Sequence, residues 1–185
     1  MSIGIAPAGF RVAPPALALP GSLADNGAEW RRRAVAAAPA EGDNGAMPGT
    51  ILLVEDNPDD AELTRLALDR VRSASKVVHL TDGAQALEYL HGPARAPDLR
   101  FVILDVKLPK VDGLQVLARL RAEPSTRSIP VVILSSSNRE GEIARCYELG
   151  VNSYVVKPVE LDEYMDKISA LGRYWDQINH PGAAG

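Results

Sequence analysis

One carboxylate in this sequence stands directly after a continuous apolar run. Residues 101–104, FVIL, have the composition of a strand buried on both faces, and Asp105 follows them at once. A charge at the end of a buried strand is costly to desolvate unless another group pairs with it. The partners of Asp105 should therefore lie at the ends of other buried segments.

Three other apolar runs also end in side chains that can do chemistry. The run TILLV is followed by Glu55 and Asp56, the run VVIL by Ser135, and the run SYVV by Lys157. Taken alone, each residue type is common after a strand, as a helix cap or a loop residue. Reactive side chains at the ends of four different strands indicate a shared site.

Five apolar segments alternate, from Thr50 onward, with five segments that carry apolar residues at helical spacing. This alternation predicts a doubly wound α/β fold, with a five-stranded parallel sheet and helices on both faces. In the flavodoxin-like strand order 2-1-3-4-5, strands one, three and four are neighbours, and strand five lies beside strand four. Because sites in such folds lie beyond the carboxyl ends of the strands, the polar residues should meet in one crevice.

Carboxylates that meet in one crevice repel each other, and a cation relieves the repulsion. Mg²⁺ prefers oxygen ligands and typically uses one or two carboxylates while it keeps several waters. The metal and Lys157 together would neutralise the oxygens of a phosphoryl group while a carboxylate attacks in line. Asp105 is the expected nucleophile because it stands at the centre of the set.

Four motifs together resemble the receiver domain of CheY-like response regulators in two-component signalling: ILLVEDN, VILDVKLPKVDG, VVILSSS and SYVVKP. The resemblance covers roughly residues 50 to 171. It implies that Asp105 accepts a phosphoryl group from a histidine kinase in a Mg²⁺-dependent reaction. It also implies a metal site made of Asp56 as a direct ligand, Glu55 acting through water, Asp105, and the backbone carbonyl of Lys107.

The resemblance further implies a switch. Lys157 would pair with the phosphoryl group, and Pro158 would follow it through a cis peptide bond. Ser135 takes the place of the family's hydroxyl residue that turns toward the phosphoryl oxygens, and Tyr154 takes that of the aromatic residue that rotates inward with it. The altered surface would be made of the fourth helix, the fifth strand and the fifth helix. On this basis the chain is a phosphoacceptor switch and not an enzyme that acts on other substrates.

The composition suits one soluble globular domain with flanking segments. The chain has 185 residues, 46% hydrophobic and 24% charged, and its formal net charge is −4. That charge argues against general nucleic-acid binding, and the single cysteine suits a reducing compartment. No apolar run in the sequence approaches the ~20 residues of a membrane helix. We therefore expect a cytoplasmic protein with neither a nucleic-acid nor a membrane partner.

Three segments are predicted along the chain. Residues 1–49 contain thirteen glycines and prolines and should form a disordered tail. Residues 50–175 should form the receiver domain, and residues 176–185 a C-terminal tail. Little sequence follows the last helix, so we expect a single-domain regulator that acts by protein contact.

The residues after the last helix suggest two kinds of partner. Their YW…I…P pattern is similar to that of small regulators that serve bacterial phytochromes, which favours a phytochrome-type sensor histidine kinase. Tyr174, Trp175 and Ile178 extend the apolar series of the last helix, and this predicts a homodimer through that helix and the tail. The alternative is that these side chains fold back on their own domain.

Two other functions are compatible with parts of the sequence. A receiver-like scaffold would bind its partner without phosphorylation. A haloacid-dehalogenase-like phosphatase also places a nucleophilic aspartate at a strand end, but it needs a second aspartate two residues later, where this chain has Lys107. The intact set of polar residues at the strand ends favours the phosphorylated regulator over both.

Overall fold

Each of the five apolar segments forms a strand, and the strands lie parallel in one sheet. The computed structural model describes residues 49–71 and 75–179. The strands are β1 Thr50–Val54, β2 Lys76–Leu80, β3 Leu99–Leu104, β4 Val131–Ser135 and β5 Ser153–Val156. Their order across the sheet is β2-β1-β3-β4-β5, which confirms the predicted doubly wound fold.

A helix follows each strand. The helices are α1 Pro58–Arg70, α2 Gly83–His91, α3 Gly113–Ala122, α4 Glu140–Glu148 and α5 Leu161–Gly172. Helix α1 starts at the carboxyl end of β1 because Asn57 caps it: its side chain accepts hydrogen bonds from the backbone N–H groups of Asp59 and Asp60. Pro58 takes the first helical position, where a missing N–H costs nothing.

The sheet is covered on both faces, as the alternation of segments predicted. In β1, Leu52 and Val54 belong to the layer that contains α2 and α3, whereas Ile51 and Leu53 belong to the layer that contains α1 and α5. All four side chains are completely buried. Burying a side chain of this size contributes ~1.5–3 kcal/mol, so the two layers hold the strand ends firmly in place.

The chain beyond α5 packs against its own domain. Residues Arg173–Ile178 continue α5 as a π-helical segment, and the ring centroid of Trp175 lies 6.5 Å from that of Phe101 in β3. Trp175 therefore folds back on the core, whereas Tyr174 is 50% exposed and Ile178 is 64% exposed.

The same segment carries a buried carboxylate. Asp176 is 4% exposed, and its Oδ1 accepts a hydrogen bond of 2.5 Å from the hydroxyl of Ser75, the residue before β2. Gln177 donates to the carbonyl of Val71 at 2.8 Å. Asp176 and Gln177 thus both contact residues near the amino edge of the sheet, and the predicted domain bounds stay a prediction.

The predicted tails fall almost entirely outside the described residues. Of the segment 1–49 only Gly49 is described, and residues 180–185 also lie outside. Within residues 49–71 and 75–179, no helix combines the length and apolar character needed to cross a membrane.

Candidate functional site

Main-chain hydrogen bonds extend the sheet one residue past the strand ends and fix the residues of the site. The backbone N–H of Asp105 donates to the carbonyl of Val54 at 3.0 Å, and that of Lys157 donates to the carbonyl of Ser135 at 2.8 Å. The N–H of Glu55 donates at 3.0 Å to the carbonyl of the last residue of β2. Glu55, Asp105 and Lys157 therefore lie at the same edge of the sheet, as the sequence predicted.

The Lys157 ammonium group is the centre of the site. Its Nζ lies 2.6 Å from Glu55 Oε2, 2.7 Å from Asp105 Oδ2 and 2.8 Å from Asp60 Oδ2. The side chain of Lys157 is only 8% exposed. An ammonium group has three N–H donors, so each of them can serve one carboxylate. Lys157 is thus the group that pairs with Asp105 at the end of its buried strand.

The carboxylates around Lys157 carry more negative charge than one ammonium group can neutralise. Burial raises the pKa of Glu55 to about 7, although the hydrogen bond from Lys157 acts in the opposite direction. Burial alone would lower the pKa of Lys157, but its hydrogen bonds to Asp105, Asp60 and Glu55 outweigh burial and raise that pKa overall. The ammonium group is therefore firmly charged, and the acidic side chains beside it still favour a second cation.

Three carboxylates at this edge fit a divalent cation. Oxygen atoms of Glu55, Asp56 and Asp105 all lie within 4.8 Å of one another, and Asp56 is exposed while the other two residues are buried. A hard cation such as Mg²⁺ takes oxygen ligands and keeps several waters, which an exposed ligand on one side permits. The backbone N–H of Lys107 donates to Asp105 Oδ1 at 3.1 Å, so the loop after β3 stays close to the site. The Lys107 carbonyl as a ligand stays a prediction.

The two predicted switch residues contact the loop after β4. Ser135 is completely buried, and its Oγ accepts a hydrogen bond of 3.2 Å from the backbone N–H of Ser137. The Tyr154 hydroxyl lies 2.9 Å from the carbonyl oxygen of Ser137 and 3.0 Å from Glu142 Oε1. Both residues thus meet at Ser137, a geometry that allows the movement of one to affect the other. Their roles in switching stay predictions.

The structure places two further residues in or beside the site, Asp60 and Glu142, which were not predicted from the sequence. Asp60 stands in the first turn of α1, where the sequence indicates only an acidic residue favoured by the helix dipole, yet its carboxylate contacts Lys157. Glu142 stands in the first turn of α4 and contacts Tyr154. For Asp60 a usable signal exists, since α1 begins directly at the carboxyl end of β1, the strand next to β3.

One detail that the resemblance implies is wrong. Pro158 follows Lys157 through a trans peptide bond, since the described part of the chain contains no cis bond. The trans form is favoured by ~0.5–1 kcal/mol even before proline. Lys157 reaches all three carboxylates with this connection.

A family model confirms the class of protein that the fold and the acidic cluster indicate. The model of the response regulator receiver domain matches residues 51–169, which is more than half of the chain. The chain therefore belongs to the response regulator receiver-domain family.

The chain is similar to several individual response regulators over most of its length. Response regulator Rcp1 from Synechocystis sp. is 32% identical over 145 residues, which cover 76% of this chain and 99% of Rcp1. The crystal structure of the Mn²⁺-bound form of Rcp1 matches with a TM-score of 0.69 and covers 74% of this chain and 100% of that chain. The phosphorylated cyanobacterial phytochrome response regulator RcpA is 35% identical, with a TM-score of 0.68 and coverage of 72% and 98%. The bacteriophytochrome response regulator RtBRR is 47% identical, with a TM-score of 0.58 and coverage of 75% and 86%.

Proposed function

We propose that this protein is a single-domain response regulator that accepts a phosphoryl group on Asp105 from a histidine kinase. The observation that carries this proposal is the position of Asp105, whose two carboxylate oxygens face the Lys157 ammonium group and the Lys107 backbone N–H. The acidic pair Glu55 and Asp56 lies within reach of the same carboxylate. The near-complete coverage of Rcp1 and RcpA supports a regulator that consists of the receiver domain.

The chemistry follows from the residues around Asp105. A carboxylate oxygen of Asp105 attacks the phosphorus of a phosphohistidine, an O–P bond forms, and the N–P bond breaks with its electron pair leaving on the imidazole. Lys157, which is held at the site, donates a hydrogen bond to a phosphoryl oxygen and offsets part of its charge. When bound by Glu55, Asp56 and Asp105, Mg²⁺ would offset further negative charge on the phosphoryl oxygens. The protein assists its own phosphorylation and is not an enzyme for other substrates.

Signal output is proposed to follow from a change in the contacts of Ser135 and Tyr154. A phosphoryl group adds negative charge and acceptor oxygens next to the buried Ser135 hydroxyl. If that hydroxyl turns to the phosphoryl group, its contact with the Ser137 N–H is lost, and the loop that also holds Tyr154 changes. The face made of α4, β5 and α5 is the proposed output surface.

The proposed input partner is a phytochrome-type sensor histidine kinase. RcpA is a cyanobacterial phytochrome response regulator and RtBRR is a bacteriophytochrome response regulator, and both align with most of this chain. A cytoplasmic location without a nucleic-acid partner belongs to the same proposal. The single cysteine supports the reducing compartment, and the net charge of −4 argues against nucleic-acid binding.

The direct test is labelling by a phosphohistidine kinase or a small phosphodonor. We expect Mg²⁺-dependent, base-labile labelling of the wild type, loss of labelling in Asp105→Asn, and normal labelling in Asp166→Asn, which removes an exposed acid from α5. A wild type that binds its partner but is never labelled would favour the phosphorylation-independent scaffold. Labelling that persists in Asp105→Asn would contradict the assignment of the acceptor.

Homodimerisation through α5 and the tail is the second part of the proposal. The exposed Tyr174 and Ile178 side chains support it, whereas Trp175 packs against Phe101 and is needed by its own domain. We expect the wild type to sediment as a dimer and a Tyr174→Ala/Ile178→Ala variant as a folded monomer whose melting temperature does not depend on protein concentration. A wild type that stays monomeric at high micromolar concentration, with and without the phosphoryl mimic beryllofluoride, would rule the dimer out.

A further inference from the structure

Asp60 is the third carboxylate on Lys157 and lies outside the predicted metal cluster. Its Oδ2 is 2.8 Å from Lys157 Nζ, and its side chain is 30% exposed. The other two acceptors of Lys157 are Glu55 and Asp105, which also belong to the cluster that fits a divalent cation. Asp60 is thus separate from the groups that would hold the metal and the phosphoryl group.

The backbone places Asp60 before any ligand arrives. The Asn57 side chain accepts a hydrogen bond of 3.4 Å from the Asp60 backbone N–H, which fixes the first turn of α1. On the opposite side, the Tyr164 hydroxyl of α5 lies 2.7 Å from the buried Thr64 hydroxyl and 3.5 Å from the Asp60 carbonyl oxygen. A carboxylate on a turn that is held from two directions is a preorganised partner for Lys157.

Phosphorylation of Asp105 would change the hydrogen bonds that Lys157 can make. In the unmodified protein its three N–H groups serve Glu55, Asp60 and Asp105. A phosphoryl group on Asp105 moves the acceptor oxygens away from the aspartate carboxyl, so the hydrogen bond to Asp105 must be redirected. An ammonium group on a four-carbon stem keeps its position during this change only if another acceptor stays in place.

We propose that Asp60 is a positioning residue that holds Lys157 at the site while Asp105 is modified. This inference rests on the proposed function, since it assigns Asp60 a part in the same phosphoryl transfer. Asp60 acts through Lys157 and touches neither the phosphoryl group nor the metal.

Because Asp60 is charged, the direction in which its replacement changes the affinity for an anion distinguishes two explanations. Replacing Asp60 with asparagine removes a negative charge near the site, and through-space repulsion alone would then predict tighter binding of an anion. Loss of positioning predicts the opposite, because Lys157 loses a charged acceptor and is no longer held where the anion binds. The two explanations therefore cannot be confused.

The experiment measures the affinity for beryllofluoride, a phosphoryl mimic, in the presence of Mg²⁺. Asp59→Asn is the matched control, since Asp59 is the exposed neighbour in the same helical turn and loses the same charge. We expect Asp60→Asn to bind about fivefold more weakly, Asp59→Asn to bind as the wild type does, and Asp60→Glu to recover part of the loss. In a Lys157→Met background the Asp60→Asn change should have no effect.

A second readout reports on Lys157 itself. Acylation of amines, followed by mass spectrometry of peptides, should show faster modification of Lys157 in Asp60→Asn than in the wild type or Asp59→Asn. Unchanged or tighter beryllofluoride binding by Asp60→Asn, or an equal loss in the Lys157→Met background, would overturn the inference. If the wild type itself does not bind beryllofluoride, the proposed function fails first and this inference fails with it.

Discussion

Two groups of buried and half-buried polar side chains lie at opposite edges of the same sheet. At the carboxyl edge, Glu55, Asp60 and Asp105 share one ammonium group, that of Lys157. At the amino edge, Asp176 in the π-helical segment accepts a hydrogen bond from the Ser75 hydroxyl. The first cluster has an excess of negative charge, whereas the second joins one carboxylate to the residue before β2.

This difference in charge indicates that the residues at the carboxyl edge serve ligand binding, whereas Asp176 at the amino edge serves stability. A cluster with excess negative charge can accept a cation, and its hydrogen bonds can be redirected when a phosphoryl group arrives. A buried carboxylate held by donors of its own fold loses stability if it is disturbed and gains nothing from a ligand. We therefore expect substitutions at the two edges to change different measured quantities.

The largest expected effect on stability is at the amino edge. Asp176→Ala should lower the free energy of unfolding by about 2–3 kcal/mol, because it removes a buried acceptor and the hydrogen bond that this acceptor receives from the Ser75 hydroxyl. Urea unfolding is the measurement, and Asp166→Ala on the exposed side of α5 is the control. The rate of labelling at Asp105 should stay at the wild-type value in both variants. A change of less than about 0.5 kcal/mol for Asp176→Ala would show that this edge is not a stability element.

At the carboxyl edge, stability should depend on pH through Glu55. Its pKa in the folded protein is about 7, above its ordinary value of 4.5, so the folded state binds more protons than the unfolded state between these values. Stability should therefore fall by about 1–2 kcal/mol as the pH rises from 5 to 6.5, in the absence of divalent cations. Unfolding measured across this range should be flatter for Glu55→Gln, and an equally steep profile for that variant would exclude Glu55 as the source.

Asp105 should show a smaller effect of opposite sign to that of Asp176. In EDTA, Asp105→Asn should raise the free energy of unfolding by about 1 kcal/mol, because one fewer negative charge competes for Lys157. Addition of Mg²⁺ should stabilise the wild type more than this variant, and thermal unfolding with and without the metal measures both. A loss of stability in EDTA would mean that the bond between Asp105 and Lys157 outweighs the repulsion.

The smallest effect is expected at Lys107. This residue is exposed, and its backbone N–H is bonded to Asp105 Oδ1, so its side chain begins directly beside the acceptor. We expect Lys107→Ala to lose its phosphoryl group severalfold faster, because water then reaches Asp105 more easily. The decay of labelled protein is the measurement, with Lys76→Ala on the exposed edge strand β2 as the control. An unchanged decay rate would place the Lys107 side chain in solvent, away from the attacking water.

The fold and the central site residues could be predicted because both depend on simple patterns. Apolar runs mark the strands, and a polar residue at the end of each run is brought to one edge by parallel pairing. Asp105 and Lys157 lie 52 positions apart in the chain, yet their strand-end positions were enough to predict their contact.

The site residues that were not predicted are those whose contacts depend on the direction of a side chain on a helix. Asp60 follows the pattern of an acidic residue at a helix start, and only the packing of α1 against α5 shows that its carboxylate reaches Lys157. Asp176 lies in the π-helical segment after α5. No periodic pattern in the sequence marks such a segment, so the burial of Asp176 was not predicted. The trans bond before Pro158 is likewise a local choice that the sequence does not specify.

The most direct measurement is the chemical identification of the phosphorylated residue in the wild type. An aspartyl phosphate is reduced by borohydride to homoserine, which peptide mass spectrometry locates to a single position. After incubation with a phosphodonor and Mg²⁺, we expect homoserine at position 105 and unchanged Glu55, Asp56 and Asp60. Homoserine at position 56 or 60, or a labelled protein in which Asp105 remains intact, would contradict the assignment of Asp105 as the phosphoacceptor.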